Sequence, residues 1–457
     1  MMSATLDGER IAQWLDAPRI SSPGRSFPVR IEYPPARTQE SVEHHVARIA
    51  RQALAENDGD VLVFLPGRRE IARAQTVLAA TLAEQVELVP LHGELTLAEQ
   101  QLALSPAEPG TRRVVLATNV AESSVTLPGI RAVIDTGLAR EPRFDPNSGF
   151  TRLETVTISQ ASADQRAGRA GRVAEGTAYR LWPQSKRLEP SRTTEIAQAE
   201  LSALALELAA WGITAASAAD LPWLDPPPAG ALAQGRELLA LLGALDSDGR
   251  ITALGRRMLA LGASPRLAAA ALRAPSERLA LVADLLALMD ARSPLRGDVW
   301  RDRRGGGRGE ADAGALAAIE QAAKGWRRRL DVRTAATGVP DSHAVGDLLA
   351  HAFPDRIAFR DASQPLRYTL ANGRGARLHE QTALLGEPWL VALDLRHEAR
   401  DSLILAAAPL DFRQLERDFP ASFVRERVLR WNEARGRRAA RAARRRAQPR
   451  IGGAAVE

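Results

Sequence analysis

The chain has 457 residues, which predicts about three domains, and its 45% hydrophobic and 25% charged residues exclude a disordered or fibrous protein. It has no cysteine, which excludes disulfide bonds, zinc sites built on thiolates and a cysteine nucleophile. The sequence has no apolar run of the roughly 18 residues that a membrane-spanning helix needs, and no secretory pattern at its start. We therefore expect a cytoplasmic protein.

The positive charge of the chain is concentrated near its C-terminal end. The formal net charge is +6, but residues 425–457 alone contain 11 Arg and three Glu, so the other residues carry a small negative charge. A basic tail can bind phosphate backbones without sequence specificity. A solvated Arg/Ala-rich terminus without such a role fits the composition equally well.

Residues 38–182 alternate helical patterns with short apolar strands. Helices are predicted over 38–56, from the Pro-Gly pair at 66–67 onward, and near 95–104. The predicted strands are VLVFL (61–65), VELVPL (86–91), RVVLAT (113–118), RAVID (131–135) and TAYRLW (177–182). Short apolar strands separated by helices are typical of a parallel sheet covered on both faces. The segment therefore predicts one α/β domain.

The pattern changes after residue 190, where helical periodicity replaces strands. Two helical stretches and the turn DSDGRIT (246–252) predict a winged-helix unit. Residues 254–330 are predicted to be helical, with RDRRGGGRG (301–309) as a flexible linker. Five short strands between 344 and 410 predict a small β-barrel of OB type.

The stretch QRAGRAGR (165–172) carries the strongest chemical signal. On a continuous helix, Gln165, Arg169 and Arg172 would share one face, whereas Arg166 would point away from them. Two guanidinium groups and an amide on one face suit a polyanion such as a triphosphate. Arginines placed in this way stabilise the charge that develops on a transferred phosphoryl group. A solvated Arg-rich helix is the alternative interpretation.

This stretch occurs in order with five others: SAT (3–5), VLVFLPGRREI (61–71), LHGEL (91–95), ATNVAESSVTLPGI (117–130) and VIDTGL (133–138). Together the six motifs resemble the DEAH/RHA helicases of superfamily 2, and among these the bacterial HrpB-type ATP-dependent RNA helicases. The resemblance covers residues 1 to about 415. It implies a second RecA-like domain followed by winged-helix, helical ratchet-like and OB-like β modules.

The resemblance also implies roles for individual residues. Arg169 and Arg172 match the arginine fingers, and Gln165 matches the residue near the γ-phosphate and the attacking water. Thr126 matches a nucleotide-binding position, whereas Ser3 and Thr5 match the motif that couples hydrolysis to movement between the two RecA-like domains. Gly93, Thr118 and Asn119 match positions that hold the RNA backbone, which small residues and exposed backbone amides suit. Capping of a strand end is the alternative for Thr118 and Asn119.

The resemblance further implies ATP with Mg²⁺ as cofactor and single-stranded RNA as partner. It divides the chain into six segments: 1–22, a remnant of a first RecA-like domain; 23–183, the second RecA-like domain; 184–253, the winged helix; 254–340, the ratchet-like region; 341–415, the OB-like domain; and 416–457, the basic tail. Residues 140–159 would be the strand-separating β-hairpin.

Three positions or features depart from the family pattern. Pro128 stands where relatives often carry an acidic residue, and Leu104 stands where an aromatic residue can stack on adenine. The chain also has no Gly-Lys-Ser/Thr, because its only lysines, Lys186 and Lys324, do not follow glycine, and it has no Asp-Glu-x-His. Since phosphate binding and Mg²⁺ coordination need those motifs, we expect them on a domain ahead of residue 1.

Three hypotheses therefore remain open. The chain is part of an ATP-dependent RNA helicase that is inactive by itself, or a nucleic-acid-binding module without catalysis, or part of a DNA-directed motor. QRAGRAGR does not separate RNA from DNA, and no metal-ligand cluster is expected in the chain itself.

Overall fold

The computed structural model describes residues 8–20, 27–83, 85–93, 95, 97–123, 126–145, 150–290, 297–298, 313–336, 340–396, 401–420, 423–432 and 437–446. Ser3, Thr5 and the predicted linker at 301–309 lie outside these ranges. The chain divides into two compact units. Unit 1 comprises Met1–Phe144, Thr151–Ala199 and Trp223–Pro226, and unit 2 comprises Asp145–Phe150, Glu200–Pro222 and Pro227–Glu457. Across the described part of the chain, no helix has the length and hydropathy required to cross a bilayer.

Unit 1 is built on a six-stranded parallel sheet. Its elements in chain order are α1 (Gly8–Leu15), β1 (Val29–Glu32), α2 (Val42–Glu56), β2 (Asp60–Phe64), α3 (Arg68–Ala79), β3 (Val86–Leu91), α4 (Leu97–Leu104), β4 (Arg112–Ala117), α5 (Val120–Ser123), β5 (Ile130–Asp135), β6 (Leu138–Asp145), β7 (Phe150–Thr157), α6 (Gln160–Ala167) and β8 (Gly176–Arg180). The sheet order is β1-β8-β5-β2-β4-β3, and every pairing is parallel.

The five strands predicted from the sequence all belong to this sheet. They are apolar runs because both faces of the sheet are covered, and β2 and β8 are buried throughout. The edge strand β1 was not predicted, since it is short, half-exposed and carries charged residues in the sequence VRIE.

Helices cover the two faces of the sheet with separate hydrophobic clusters. On one face, Val61 and Val63 of β2 pack with α2 and α3, whose buried residues include Ile49 and Ile71. On the other face, Leu62 and Phe64 pack with residues of α4, α5 and α6. Successive side chains of β2 thus point to opposite faces of the sheet, and helices pack on both faces.

Strands β6 and β7 pair with each other in a separate two-stranded sheet. The predicted hairpin over residues 140–159 is therefore present as a hairpin, with each strand eight residues long. It follows β5 directly and leads into α6, so the sheet and the arginine-rich motif are connected through it.

The first half of unit 2 is helical and contains the winged-helix element. The helices are α7 (Ser202–Ala210), α8 (Ala229–Leu241), α9 (Ala253–Leu261), α10 (Pro265–Arg273), α11 (Leu279–Asp290) and α12 (Ala313–Arg329). The wing between α8 and α9 is a tight turn closed by one antiparallel bridge between Leu245 and Ile251. Asp246 stabilises this turn because its backbone N–H and carboxylate both bond to residue Arg250 across it.

The second half of unit 2 is a small closed barrel. Its elements are β9 (Gly297–Asp298), α13 (Ser342–Ala350), β10 (Ile357–Arg360), β11 (Arg367–Leu370), β12 (Gly375–Arg377), β13 (Trp389–Arg396), β14 (Ser402–Pro409) and α14 (Phe412–Asp418). The sheet order is β12-β11-β10-β13-β14-β9, and a further pairing of β12 with β14 closes it. All five predicted strands are present, whereas α13, at the start of the stretch predicted as strands, was not expected. In the tail, β15 (Phe423–Asn432) and β16 (Arg437–Arg446) form an antiparallel pair.

Candidate functional site: the arginine turn

The motif QRAGRAGR is helical only in its first part. Helix α6 ends at Ala167, and the backbone then tightens into bonds from Arg169 N to Arg166 O at 3.1 Å and from Ala170 N to Ala167 O at 3.0 Å. The prediction of one helix through Arg172 was wrong. We call residues Gly168–Arg172 the arginine turn.

Close packing of glycine explains why the helix stops. The N–H of Phe27 donates to the carbonyl of Gly171 at 2.8 Å, which ties the turn to the segment before β1. A Cβ atom on Gly171 would lie 2.5 Å from the Phe27 oxygen, so only glycine fits there. Gly171 therefore packs against Phe27 in a part of the motif that was predicted to be helical.

Arg166 is buried in an ion network beneath the turn. Its Nε atom lies 2.9 Å from Glu122 Oε2, its Nη1 atom lies 2.9 Å from Asp135 Oδ1, and its side chain is 1% exposed. The guanidinium also stacks 4.7 Å from the centre of the Phe64 ring. Burial raises the pKa of Asp135, and the positive charge of Arg166 opposes that shift. Arg166 thus pairs with two carboxylates inside the fold.

Arg169 binds Glu122, which Arg166 also contacts. Its Nε atom donates to the backbone carbonyl of Glu122 at 3.0 Å, and its Nη2 atom donates to that carbonyl as well. The predicted helical face placed Arg166 away from Arg169. The structure instead brings both side chains onto Glu122, because the chain turns between them.

Arg169 and Arg172 form a local excess of positive charge. Burial and the neighbouring charge of Arg172 lower the pKa of Arg169 to about 10. Arg172 is exposed, and its Nη1 atom donates to Thr126 Oγ1 at 3.3 Å. Within the described part of the chain, no carboxylate pairs with Arg172. An anion bound here would relieve the repulsion between the two guanidinium groups.

Three of the predicted nucleotide-site residues therefore meet in space: Arg169, Arg172 and Thr126. Gln165 lies half-buried on α6, one turn before the arginine turn. Leu104, at the position where an aromatic could stack, packs partly against the hydrophobic core. No group of three or more His, Asp or Glu side chains able to hold a metal ion occurs among the residues that the structure covers.

The predicted RNA-contacting residues lie at the carboxyl ends of β3 and β4. Thr118 follows β4, and its N–H donates to the carbonyl of Leu91 in β3 at 3.1 Å. The Asn119 carbonyl accepts from Glu122 N at 3.0 Å, which starts α5. Gly93 is exposed, and a Cβ atom added to it would meet nothing within 4 Å. We call these loop residues the carboxyl edge of the sheet.

Sequence reasoning missed the two acidic residues that organise the turn, Glu122 and Asp135. Both lie inside motifs quoted from the sequence, ATNVAESSVTLPGI and VIDTGL. The available signal was an Asp that ends a buried apolar strand, since a carboxylate there requires a cationic or hydrogen-bonding partner.

Comparison with known proteins agrees with this architecture. Residues 39–174 match the helicase conserved C-terminal domain, and residues 236–262 match the winged-helix part of the helicase-associated domain HA2. The chain thus contains a helicase C-terminal domain followed by the winged-helix module that is associated with helicases.

Two individual helicases are similar in sequence to this chain. The chain is 41% identical over 441 residues to the ATP-dependent RNA helicase HrpB of Escherichia coli K12, and the match covers 95% of this chain and 53% of the relative. It is 38% identical over 275 residues to the pre-mRNA-splicing factor ATP-dependent RNA helicase prp22 of Schizosaccharomyces pombe, over 58% of this chain and 23% of the relative.

Two solved structures of HrpB are also similar to this chain. A crystal structure of the E. coli DExH-box NTPase HrpB matches with a TM-score of 0.79 and 38% identity, over 99% of this chain and 55% of that one. A second, of the E. coli DEAH/RHA helicase HrpB, matches with a TM-score of 0.80 and 37% identity, over 99% and 56%. Over nearly its whole length the chain is thus similar to HrpB-type DEAH/RHA helicases, and it spans about half the length of the HrpB relatives that it matches.

Proposed function

We propose that this chain is the part of an ATP-dependent RNA helicase that carries the arginine fingers and one half of the RNA path. The observation that carries the proposal is the arginine turn, where two adjacent guanidinium groups lie beside Thr126 and Arg172 has no carboxylate partner in the described chain. Relatives named as ATP-dependent RNA helicases support it.

In this proposal, ATP is the substrate that brings the compensating negative charge. Arg172 and Arg169 would approach the triphosphate, and Gln165 would lie near the γ-phosphate and the attacking water. Positive charge placed there stabilises the transferred phosphoryl group in the transition state, an effect worth roughly 10³–10⁵ in rate. The network of Arg166 with Glu122 and Asp135 holds the turn in place, because Glu122 also accepts from Arg169.

The phosphate cradle and the Mg²⁺ ligands would come from another domain. The chain has no Gly-Lys-Ser/Thr and no Asp-Glu-x-His, so it cannot bind the β- and γ-phosphates or the metal in the usual way. We therefore propose that the chain alone has negligible ATPase activity. Ser3 and Thr5 would couple the two domains.

RNA would bind along the carboxyl edge through Gly93, Thr118 and Asn119. The loops after β3 and β4 lie side by side there and expose backbone groups, which suits recognition of a sugar-phosphate backbone. The β6–β7 hairpin would separate strands. The division into six segments, with the winged helix, the ratchet-like region and the barrel after the RecA-like domain, is part of the same proposal.

A complementation assay tests the catalytic part of the proposal. RNA-stimulated ATP hydrolysis is measured for the chain alone and for the chain fused to a first RecA-like domain from an HrpB-type helicase. We expect no turnover from the chain alone and RNA-dependent turnover from the fusion. Turnover by the chain alone would contradict the proposed inactivity.

The same fusion separates the alternative functions. RNA binding that nucleotide leaves unchanged, together with no turnover in the fusion, would favour a non-catalytic nucleic-acid-binding module, which the missing phosphate-binding motif also suggests. Competition between RNA and DNA strands at one stated salt concentration would identify a DNA-directed motor.

A further inference from the structure

Helix α1 is held by a segment that comes from much later in the chain. Arg10 Nη2 lies 2.7 Å from Asp225 Oδ1, and the same nitrogen donates to the carbonyl of Leu224. Ile11 is the buried residue of α1, whereas the side chain of Arg10 is 52% exposed. A helix of eight residues is too short to be stable alone, so α1 depends on its contacts with the rest of unit 1.

The segment that holds α1 is Trp223–Pro226, which we call the strap. It belongs to unit 1, although the chain on both sides of it belongs to unit 2. Prolines flank the strap, and the backbone is extended at both of its ends, with φ −71° and ψ 145° at Leu221 and φ −59° and ψ 125° at Pro228. Proline fixes its own φ and keeps the residue before it extended. Since Asp225 directly precedes a proline, the strap presents its carboxylate from a restricted backbone.

The place of α1 in the chain gives this contact a possible use. It is the first helix that the structure describes, and in the proposed function another domain joins the chain ahead of it. While α1 is docked, unit 1 holds the incoming chain at Gly8. If α1 were released, the next regular element of unit 1 would be β1, which begins only at Val29. A longer connection between two domains lowers the effective concentration of one around the other.

We propose that the ion pair of Arg10 with Asp225 positions α1 and thereby sets how closely the preceding domain is held to the arginine turn. The inference rests on the proposed function, in which ATP binds between that domain and unit 1. Arg10 and Asp225 are positioning residues, because they act through α1 and not on the nucleotide. Their effect falls on the affinity for ATP, since the apparent affinity decreases with the fraction of molecules that are in the binding-competent arrangement.

The first test measures the docking of α1 in the full 457-residue chain. Amide hydrogen exchange of α1 is followed by mass spectrometry. R10D and D225R each place two like charges together, so exchange should become about three- to tenfold faster. R10D/D225R restores opposite charges and should slow the exchange again, although the bond to the Leu224 carbonyl is not restored. The thermal unfolding midpoint should change little, because an exposed ion pair contributes little to global stability.

The second test measures ATP turnover in the fusion with a first RecA-like domain. R10D and D225R should each raise KM for ATP about three- to tenfold. They should leave kcat nearly unchanged, because saturating ATP itself draws the two domains together. R10D/D225R should return KM toward the value of the unmodified fusion. R51D is the matched control: Arg51 is exposed on α2, and its reversal changes the net charge as much as R10D does, so KM and the exchange of α1 should not change.

The outcomes distinguish this inference from the proposed function. If exchange of α1 is unchanged in R10D and D225R, the ion pair does not hold α1, and only this inference is overturned. Faster exchange with an unchanged KM, a loss of kcat at constant KM, or an equal effect of R51D would overturn it as well. If the unmodified fusion does not hydrolyse ATP, the proposed function fails and the inference fails with it.

Discussion

The arginines of one eight-residue motif have opposite environments. Arg166 is 1% exposed and contacts two carboxylates, whereas Arg172 is exposed and donates to a hydroxyl. Arg169 lies between these extremes, since it is mostly buried and bonds to a backbone carbonyl. The comparison shows that a buried arginine with matched carboxylates serves the fold. Arg172 has no carboxylate partner among the described residues, so it contributes no comparable ion pair to the fold.

Substitution of Arg172 should give the largest effect, and it should appear in catalysis. In the fusion that carries a first RecA-like domain, R172A should reduce RNA-stimulated ATP turnover by about 10³–10⁵, because a charge that stabilises the transition state is lost. Turnover is measured at saturating RNA. Arg187 is also exposed, and R187A should keep full turnover. Equal turnover in R172A and R187A would remove the arginine turn from the proposed mechanism.

Substitution of Arg166 should instead destabilise unit 1. R166A should lower the free energy of unfolding by about 3–5 kcal/mol, because it leaves the buried Asp135 without its cationic partner. Urea unfolding followed by tryptophan fluorescence, to which Trp182 in unit 1 contributes, measures the change. R172A should change the same free energy by less than about 0.5 kcal/mol. Equal destabilisation by the two variants would contradict the distinction between these arginines.

Substitutions of two glycines in the arginine turn can be compared with each other, and both should change the free energy of unfolding less than R166A does. G171A should lower the free energy of unfolding by about 1–3 kcal/mol, because the new Cβ would lie 2.5 Å from the Phe27 oxygen. G168A should be nearly neutral, since its nearest neighbouring atom is 3.4 Å away and its backbone has an ordinary helical φ of −57°. Urea unfolding compares the two. A larger loss in G168A would show that packing on Phe27 does not define the turn.

The smallest expected effect concerns an ion pair of intermediate exposure, Glu40 with Arg48. Arg48 Nε lies 2.9 Å from Glu40 Oε1, and this bond lowers the pKa of Glu40 to about 2 from its ordinary 4.5. The stabilisation is therefore complete above pH 4.5 and is lost as the pH falls toward 2. The unmodified chain should unfold at a higher temperature than E40Q at pH 6, and the difference should shrink at pH 3. A difference that does not change with pH would contradict this assignment.

Local patterns in the sequence were sufficient for much of the architecture. The five strands of residues 61–182 were identified because the burial of both faces of a parallel sheet favours short, mostly apolar sequences. The wing and the barrel strands were identified from turn residues and short strand-like runs, whereas the hairpin over residues 140–159 was expected from the resemblance. The edge strand β1 was missed because it is short and carries charged residues, and helix α13 was missed although Asp341 caps its start.

The sequence by itself determined which residues belong to the motif and how they are ordered along the chain. Only the tertiary structure decided what each arginine does, because the partners of Arg166 lie 44 and 31 residues away in Glu122 and Asp135. Helical periodicity describes neighbours within a few residues. It could not show that the helix ends at Ala167 or that Gly171 packs on Phe27, and so could not separate the buried Arg166 from the exposed Arg172.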